Sequence, residues 1–490
     1  MDTVPRVKSA GLRGLTHRML DQTPRRLIGA GVVLGVLAAA LVGVLIAGTG
    51  AARGGLSSMA ASTGEVDATN DLYFRLNDMD AQAADALLVG FHPTIEVPAS
   101  VNAAASVSTY ERDRAAADRD LQKIAANPAL AEAYARLLDA LGGYEALIGQ
   151  AFYIDQGDRA QSPATPPTQA LSAYQRASSM MHSDVLPIAS TITTTDSSRV
   201  NGQYAADRGD ARTYAVLALV AGLVVLVALA ATNRYVARRF RRLLTPALAG
   251  AAVLTLAAAG AGAGVLLHEA GQFKLAKQDA FDSINALTRA RAVSYDANAD
   301  ESRWLLDHTA ALQDSFFAKV SQVAAVPGMG AAAAAAAPDA YYAGLKSAAA
   351  HLSLDAEANS VAHVEVGGFL GTELNNVTFA TEAQGAAATL TDFEVYVQDD
   401  AVIRGDVNRG DLAGAVAFDV GTQAGQSNYA YYQYDQALTR IIAINESAFT
   451  GAIATGRADL GIWVWLPYAA GALLLVLVGT ALYPRLREYR

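Results

Sequence analysis

One stretch of the sequence carries a periodic set of charged and amide side chains. Seven of them, spaced by three, four or seven positions, fall within about 60° of one helix face. They are Asp282, Asn285, Arg289, Asp296, Asp300, Arg303 and Asp307. On a solvated face such residues form only weak ion pairs. Inside a bundle, or against a partner, the same carboxylates and guanidinium groups would form a polar network or a contact surface. The spacing alone leaves both alternatives, the solvated face and the buried or partner-facing one, open.

Signatures of catalytic and metal-binding chemistry are missing from the sequence. The seven histidines never take a His-x-x-x-His spacing, cysteine is absent, and no Gly-x-Ser-x-Gly elbow, phosphate loop or kinase motif occurs. Gly260, Gly262 and Gly264 have no strand before them, so they indicate close helix packing rather than a nucleotide loop. We therefore predict that the protein is not an enzyme and holds neither cofactor nor metal.

The elements that must position the polar residues begin with four apolar stretches. Asp, Glu, Lys and Arg are absent from 27–52, 213–233, 243–268 and 460–484, and each stretch reaches the roughly 20 residues that span a bilayer. The first could also be a signal peptide, but its apolar run is long for one. Four transmembrane helices are predicted, and their lack of ionisable groups disfavours an ion-coupled transporter.

Basic residues mark the predicted cytoplasmic side. Six lie in 1–26, five in 234–242 and three in 485–490, and short loops rich in Lys and Arg face the cytoplasm. Both termini are then inside. The remaining chain holds 23 basic and 44 acidic residues, a net charge of −21 outside. This excess disfavours nucleic acid as a ligand and favours solubility or a basic partner surface.

The predicted fold class is all-α, a duplicated span–ectodomain–span unit. Two extracytoplasmic helical bundles, 53–212 and 269–459, alternate with the four spans. Sequence similarity between the two halves is strongest between Asp80-Ala-Gln-Ala-Ala-Asp85 and Asp296-Ala-Asn-Ala-Asp300. We call this local similarity the internal echo.

Finer predictions concern individual helices. We expect helices at 101–126 and 129–157, a return helix at 169–214 with a kink at Pro187, and a long helix from Glu269 to about Val323. The alanines of 331–337 are expected to form a linker rather than a helix start. The run 361–366 alternates like a strand, and Ser427-Asn428 offers a helix N-cap.

Several strings resemble a family of actinobacterial four-span membrane proteins, the GlnX-like proteins. Most lie in the second half of the chain: Arg289-Ala-Arg-Ala-Val293, Asp296 to Arg303, Leu305-Leu-Asp307, Gly371 to Phe379, Gly425-Gln-Ser-Asn428, Tyr434-Asp435 and Ile444 to Phe449. In the first half, Tyr174 to Met181 with Leu186-Pro187 is similar to the family's return helix.

The resemblance implies a transmembrane relay. A GlnH-like solute-binding lipoprotein, loaded with an acidic amino acid, would engage the ectodomains, and the cytoplasmic Ser/Thr kinase PknG would receive the signal. The residues expected to contact the partner or relay its state are Arg289, Asp296, Asn298, Asp300, Glu301, Arg303, Asn376, Thr378, Gln426 and Asn428. Those expected to dock the cytoplasmic partner are Arg238, Arg239, Arg241 and Arg242. A homo-oligomer is compatible with this plan. The alternatives are a cell-envelope scaffold and a permease-type subunit of an export complex.

Overall fold

The structure is a computed structural model. It describes residues 23–93, 102–125, 127, 130–159, 162, 164–240, 245–355, 357 and 359–487. Within them the all-α prediction is confirmed, and four helices are long and apolar enough to cross a membrane. The basic residues predicted at 1–22, together with Arg241, Arg242 and Arg490, lie outside the described residues.

Helices make up nearly all of the described chain. Their bounds are α1 Thr23–Val89, α2 Ala103–Ile124, α3 Ala131–Gly157, α4 Thr168–Met180, α5 Leu186–Phe240, α6 Pro246–Lys274, α7 Asp282–Asp307, α8 Ala310–Val323, α9 Ala331–Ala336, α10 Pro338–His351, α11 Gly368–Leu374, α12 Glu382–Asn408, α13 Leu412–Asp419, α14 Ser427–Asp459 and α15 Leu466–Arg487. Two π-helical segments, Met181–Val185 and Leu275–Phe281, and a 3₁₀ turn, Ile462–Val464, complete them. The only strands among the described residues are β1 Ser353–Asp355 and β2 Ser360–Ala362, an antiparallel pair.

The chain divides into two compact units. One comprises the residues up to Met59, Gly202–Lys274 and the residues from Ala452 on, and it contains the four apolar stretches. The other comprises Ala60–Asn201 and Leu275–Gly451. We call them the membrane unit and the bundle unit.

In the membrane unit, each helix buries one stripe of small and aliphatic side chains. On α1 the buried stripe recurs at Leu27, Leu34, Leu41 and Leu45, whereas Val36 between them is 63% exposed. A cluster from all four helices includes these leucines. A Cβ at Gly262 would overlap Leu45 and lie 3.3 Å from Trp463, so Gly262 does permit close packing, while Gly260 and Gly264 face open space. Apolar side chains left outside this cluster are what a lipid-facing surface requires.

In the bundle unit, the two predicted ectodomains share a hydrophobic core. One cluster joins Leu76, Tyr144 and Ile192 of the first half to Leu305 and Val416 of the second. A second cluster lies within the second half and is rich in aromatic rings, among them Phe317, Phe393 and Tyr434. The predicted domain boundaries stay predictions. Because the two halves share this core, they pack together within the bundle unit.

Local differences from the predictions have identifiable causes. Helices α2 and α3 lie within two residues of their predicted bounds. The return helix is interrupted by the π segment Met181–Val185 just before Pro187, whose missing N–H perturbs the ladder there. The continuous helix predicted for 269–323 is wrong, because His308 takes a left-handed conformation (φ 50°) and separates α7 from α8. The linker predicted for 331–337 is also wrong, since Ala331–Ala336 forms α9. Helix α14 begins at Ser427, within the predicted pair, but the Ser427 hydroxyl has no hydrogen-bond partner among the described residues and so does not act as the predicted N-cap.

Candidate functional site: a buried charge network

The two halves of the bundle unit are joined through the side chain of Arg303. Its Nη2 donates to Asp80 Oδ2 at 2.9 Å and to Asp296 Oδ1 at 3.0 Å, and its Nη1 donates to Asp300. Asp80 belongs to α1 and the other three residues to α7. Asp80 also accepts from Ser178 Oγ at 3.0 Å and from Tyr144 OH at 3.3 Å. One guanidinium group thus cross-links α1 and α7 through residues that are 223 positions apart in sequence.

Lys319 and His182 complete this network. The Nζ of Lys319, on α8, lies 2.8 Å from Asp296 Oδ2 and 2.6 Å from Asp300 Oδ2. His182, in the π segment after α4, has Nε2 3.0 Å from Asp296 Oδ1 and Nδ1 2.7 Å from the Ser178 carbonyl oxygen. Since one ring nitrogen must donate to that carbonyl, Nε2 donates to Asp296 only when the ring is protonated. We call these six ionisable residues, Asp80, His182, Asp296, Asp300, Arg303 and Lys319, the Arg303 network.

Charge in the Arg303 network balances when His182 is protonated, because three carboxylates then face three cations. Burial opposes protonation of His182, but the hydrogen bond and the charge of Asp296 outweigh it and raise the pKa of the imidazole above its usual value. Burial likewise acts to raise the pKa of Asp296, yet Lys319, His182 and Arg303 hold that pKa well below its ordinary range. The network is therefore a set of mutually dependent charges.

Beside it lies a second buried set in which carboxyl groups outnumber cations. Ser302 donates to Asp85 Oδ1 at 2.6 Å and lies 3.1 Å from Asp419 Oδ2, so α1, α7 and α13 meet at one hydroxyl. Burial raises the pKa of Asp85 to about 6 and, with the charge of Asp85, raises that of Asp419 well above its usual range. Each raised pKa favours the neutral carboxyl group, which lowers the cost of an uncompensated buried charge.

Arg404 supplies the cation of this second set. Its Nε lies 2.7 Å from Asp400 Oδ2, its Nη1 lies 3.2 Å from Gln313 Oε1, and its guanidinium sits 4.5 Å from the ring centre of Trp304. Glu301 accepts from Tyr396 OH at 2.7 Å, and burial raises its pKa well above the ordinary value. Within the described part of the chain, one carboxyl oxygen each of Glu301, Asp400 and Asp419 has no hydrogen-bond partner.

An aromatic ladder reinforces the same joint. Arg291 forms a bidentate ion pair with Asp435, at 2.6 and 2.9 Å, and covers the ring of Phe74 at 4.0 Å. Phe74 meets Tyr295 edge-on, and Tyr295 meets Tyr431 at 4.9 Å. Such contacts add to burial through their geometry. They tie α1 to α7 and α14.

The predicted site residues divide between the interior and the surface. Asp296, Asn298, Asp300, Glu301 and Arg303 are all buried, so the polar-network alternative describes the middle of the stripe. In the N-terminal part of the stripe, Asp282 is exposed, and Arg289 is half-buried and forms no ion pair with the described residues. The role of these residues in contacting a partner stays a prediction.

The other predicted residues lie apart from the Arg303 network. Asn428 accepts from Asn298 at 3.3 Å. Asn376 donates to Ser283 Oγ at 3.0 Å, and the backbone N–H of Thr378 donates to Glu382 at 2.6 Å. Gln426 caps the turn before α14 through Gln423 N at 2.9 Å.

The predicted cytoplasmic docking residues are only partly described. Arg238 is exposed on α5, and the backbone of Arg239 is helical. The side chain of Arg239, like Arg241 and Arg242, lies outside what the structure describes. Their docking role stays a prediction.

Sequence reasoning missed the partners from outside the stripe: Asp80, Asp85, His182, Lys319, Asp400, Asp419 and Arg404. A signal for two of them was present, since the internal echo pairs Asp80 with Asp296 and Asp85 with Asp300. In the structure these echoed segments face each other, with Asp80, Asp296 and Asp300 around one guanidinium group. No group of three or more His, Asp or Glu side chains fit for a metal ion occurs in the described part of the chain.

The four apolar helices and this bundle define the class as a multi-pass membrane protein with a largely helical bundle unit. Residues 55–205 match the model of a family described as the actinobacterial sensor domain. No curated protein and no solved structure matches the chain. The family match supports an actinobacterial sensor protein of the membrane, with a role in sensing or signalling.

Proposed function

We propose that this protein is a non-enzymatic transmembrane relay, which senses an extracytoplasmic solute-binding protein and passes its state to a cytoplasmic Ser/Thr kinase. The observation that carries the proposal is the Arg303 network, which joins the sensor-domain half to the second half. A joint built of buried charges is bistable rather than continuously deformable, because a shifted pairing leaves charges uncompensated. A partner that binds one arrangement better can therefore switch it.

Helix continuity supplies the second argument. Helix α1 contains an apolar stretch, Asp80 of the Arg303 network and Asp85 of the second buried set. Rigid helices can pass a small axial shift or rotation over their length. A change in the ion pairing of Asp80 would then move α1, which also contains the first predicted span.

The charge partition supports the partners of the proposal. The net charge of −21 on the predicted outer segments suits a basic surface on a solute-binding lipoprotein. The arginines 238, 239, 241 and 242 would present a cationic patch to an acidic surface of the kinase. The resemblance to the GlnX-like family favours an amino acid as the solute carried by the lipoprotein.

The test measures kinase output in cells that respond to an external amino acid. Asp80→Asn removes one carboxylate of the Arg303 network. Asp118→Asn removes an exposed carboxylate on α2, which lies 3.9 Å from Arg114 Nη1. We expect the amino-acid response to be lost in the first variant and kept in the second, at equal membrane abundance.

Two other outcomes would replace the proposal. An unchanged response after loss of the whole protein, together with an envelope defect, would favour a scaffold. Copurification of an ATPase and loss of substrate export would favour a permease-type subunit.

A further inference from the structure

The imidazole of His182 contacts two different elements through its two ring nitrogens. His182 lies in the π segment Met181–Val185, which follows α4. Its Nδ1 lies 2.7 Å from the carbonyl oxygen of Ser178, and its Nε2 lies 3.0 Å from Oδ1 of Asp296 on α7. One ring therefore links the first half of the bundle unit to the second.

Both contacts of this imidazole are with oxygen atoms that accept hydrogen bonds. A neutral imidazole carries a single N–H, so one of its nitrogens would place a lone pair against an oxygen. An imidazolium ion donates from both nitrogens and places its positive charge beside the Asp296 carboxylate. Only the protonated ring satisfies both contacts of His182.

The charge balance of the Arg303 network follows the protonation of this ring. Three carboxylates and two further cations meet there, namely Asp80, Asp296, Asp300, Arg303 and Lys319. When His182 is neutral, the three carboxylates face only these two cations. Because the side chains of Asp80 and Asp300 are each 1% exposed, solvent does little to compensate the extra negative charge.

Charged and titratable groups from five helices surround His182 and its acceptor Asp296. They are Tyr73 and Asp80 of α1, Tyr144 of α3, Tyr174 of α4, Asp300, Arg303 and Asp307 of α7, and Lys319 of α8. Burial raises the pKa of all three tyrosines, so these phenols stay neutral. Asp184 of the same π segment lines a separate cleft with Arg136 and Asp139 of α3. Of these groups, imidazole is the type whose ordinary pKa, about 6.5, lies near neutral pH.

Solvent reaches the ring of His182 but hardly reaches the centre of the network. The side chain of His182 is 32% exposed, whereas that of Arg303 is 6% exposed. A cleft of about 420 Å³ lies beside both side chains. In the predicted topology the bundle unit is extracytoplasmic, so the protons that reach His182 come from the external medium.

We propose that His182 is a proton switch in the Arg303 network, which tightens the packing of the two halves of the bundle unit in external acid and loosens it on deprotonation. As a property of this packing, the switch goes beyond the relay function. Its effect on signalling rests on that function.

The sign of the pH dependence follows from the environment of the ring. Burial acts to lower the pKa of His182, but the hydrogen bond and the charge of Asp296 outweigh burial and raise that pKa. A group with a raised pKa in the folded state stabilises that state fully below its unfolded pKa, about 6.5 for histidine. The stabilisation by His182 is then lost as pH rises through the folded-state pKa.

The first measurement follows the protonation itself. Histidine-selective nitrogen-15 labelling of the full-length protein in detergent gives NMR signals from seven histidines. The signals that disappear in His182→Gln belong to His182. We expect both of its ring nitrogens to be protonated at pH 6 and its titration midpoint to lie above about 6.5. In Asp296→Asn the midpoint should fall, because a neutral amide replaces the carboxylate.

The second measurement tests whether protonation stabilises the packing. Thermal unfolding compares the wild type with His182→Gln at pH 6 and at pH 9. Glutamine is neutral at both values, so the Tm deficit of this variant should be about 2–4 °C larger at pH 6, the effect of one charge-assisted hydrogen bond at a partly exposed site. His351→Gln is the control, since the His351 side chain is 63% exposed. Its Tm should differ from that of the wild type equally at both pH values.

Two results would overturn the switch. One is a titration midpoint of His182 at or below about 6.5. The other is a Tm deficit of His182→Gln that, like that of His351→Gln, is the same at pH 6 and pH 9. Failure of the relay function is recognised separately, because neither measurement uses the kinase. An amino-acid response that is kept in Asp80→Asn would contradict the relay and would leave both results for His182 unchanged.

Discussion

Replacing Arg303 with methionine should destabilise the packing of the two halves of the bundle unit. Methionine fills similar space but leaves Asp80, Asp296 and Asp300 with only Lys319 and His182 as counter-charges. Removing one partner of a buried ion pair costs about 3–5 kcal/mol, because the other stays buried and uncompensated. Since Arg303 is 6% exposed, solvent screening reduces this cost little.

The assay is thermal unfolding of the full-length protein in detergent, followed by tryptophan fluorescence. For a unit of this size each kcal/mol corresponds to about 2 °C, so the expected fall in Tm is about 6–10 °C. Trp304, next in sequence to Arg303, reports the change locally. Arg289→Met is the matched control on the same helix, and it should shift Tm by less than about 2 °C because Arg289 forms no ion pair with the described residues.

A double-mutant cycle sharpens the test. If Arg303 acts by compensating Asp80, then Asp80→Asn should cost less in the Arg303→Met background than in the wild type. A coupling energy of about 0.5–3 kcal/mol is expected for such neighbours. The reasoning would be refuted if Arg303→Met shifted Tm no more than Arg289→Met, or if the two network substitutions were additive.

Three further outcomes follow from named contacts. Because Asp85 has its pKa raised from 3.8 to about 6, the folded state binds more protons than the unfolded state, so stability should fall as pH rises between these values. Asp85→Asn should remove up to about 3 kcal/mol of that fall, measured by Tm from pH 4 to pH 6.5. Gly368→Ala should lower Tm more than Gly410→Ala, since both have positive φ but only Gly368 faces a carbonyl at 2.5 Å. Gly262→Val should cost about 1–3 kcal/mol by overpacking against Leu45, whereas Gly264→Val, with open space at its Cβ, should be nearly neutral in a detergent melting assay.

The spans and most helices could be predicted from sequence because each depends on local patterns. The length of each apolar run identifies the four stretches. Pro166 and Pro167 before α4, and Ser427 at the start of α14, are local signals of helix boundaries. The break at His308 had no such signal, since a left-handed histidine depends on its tertiary surroundings rather than on a glycine.

The candidate site was half visible in the sequence. Helical spacing brought Asp296, Asp300 and Arg303 together, because periodicity fixes a face. Helical periodicity alone does not show whether that face contacts solvent or another helix. The contact of Arg303 with Asp80 spans 223 residues, and the contact of Tyr396 with Glu301 crosses the second half. Long-range pairs of this kind leave no periodic trace in a single sequence, and only the echo of Asp80 and Asp85 hinted at them.

Because the two halves share a core, the first half cannot complete its packing until the second half has been synthesised. Asp85 is made 217 residues before Ser302, its hydrogen-bond partner. At a ribosomal rate of about 5–20 residues per second, the first half waits about 10–45 s for the second. During that interval the carboxyl groups of Asp80 and Asp85 must stay hydrated, which keeps their face of the nascent bundle from closing. Truncated chains that stop before α7 would therefore leave Asp80 and Asp85 without their partners Arg303 and Ser302.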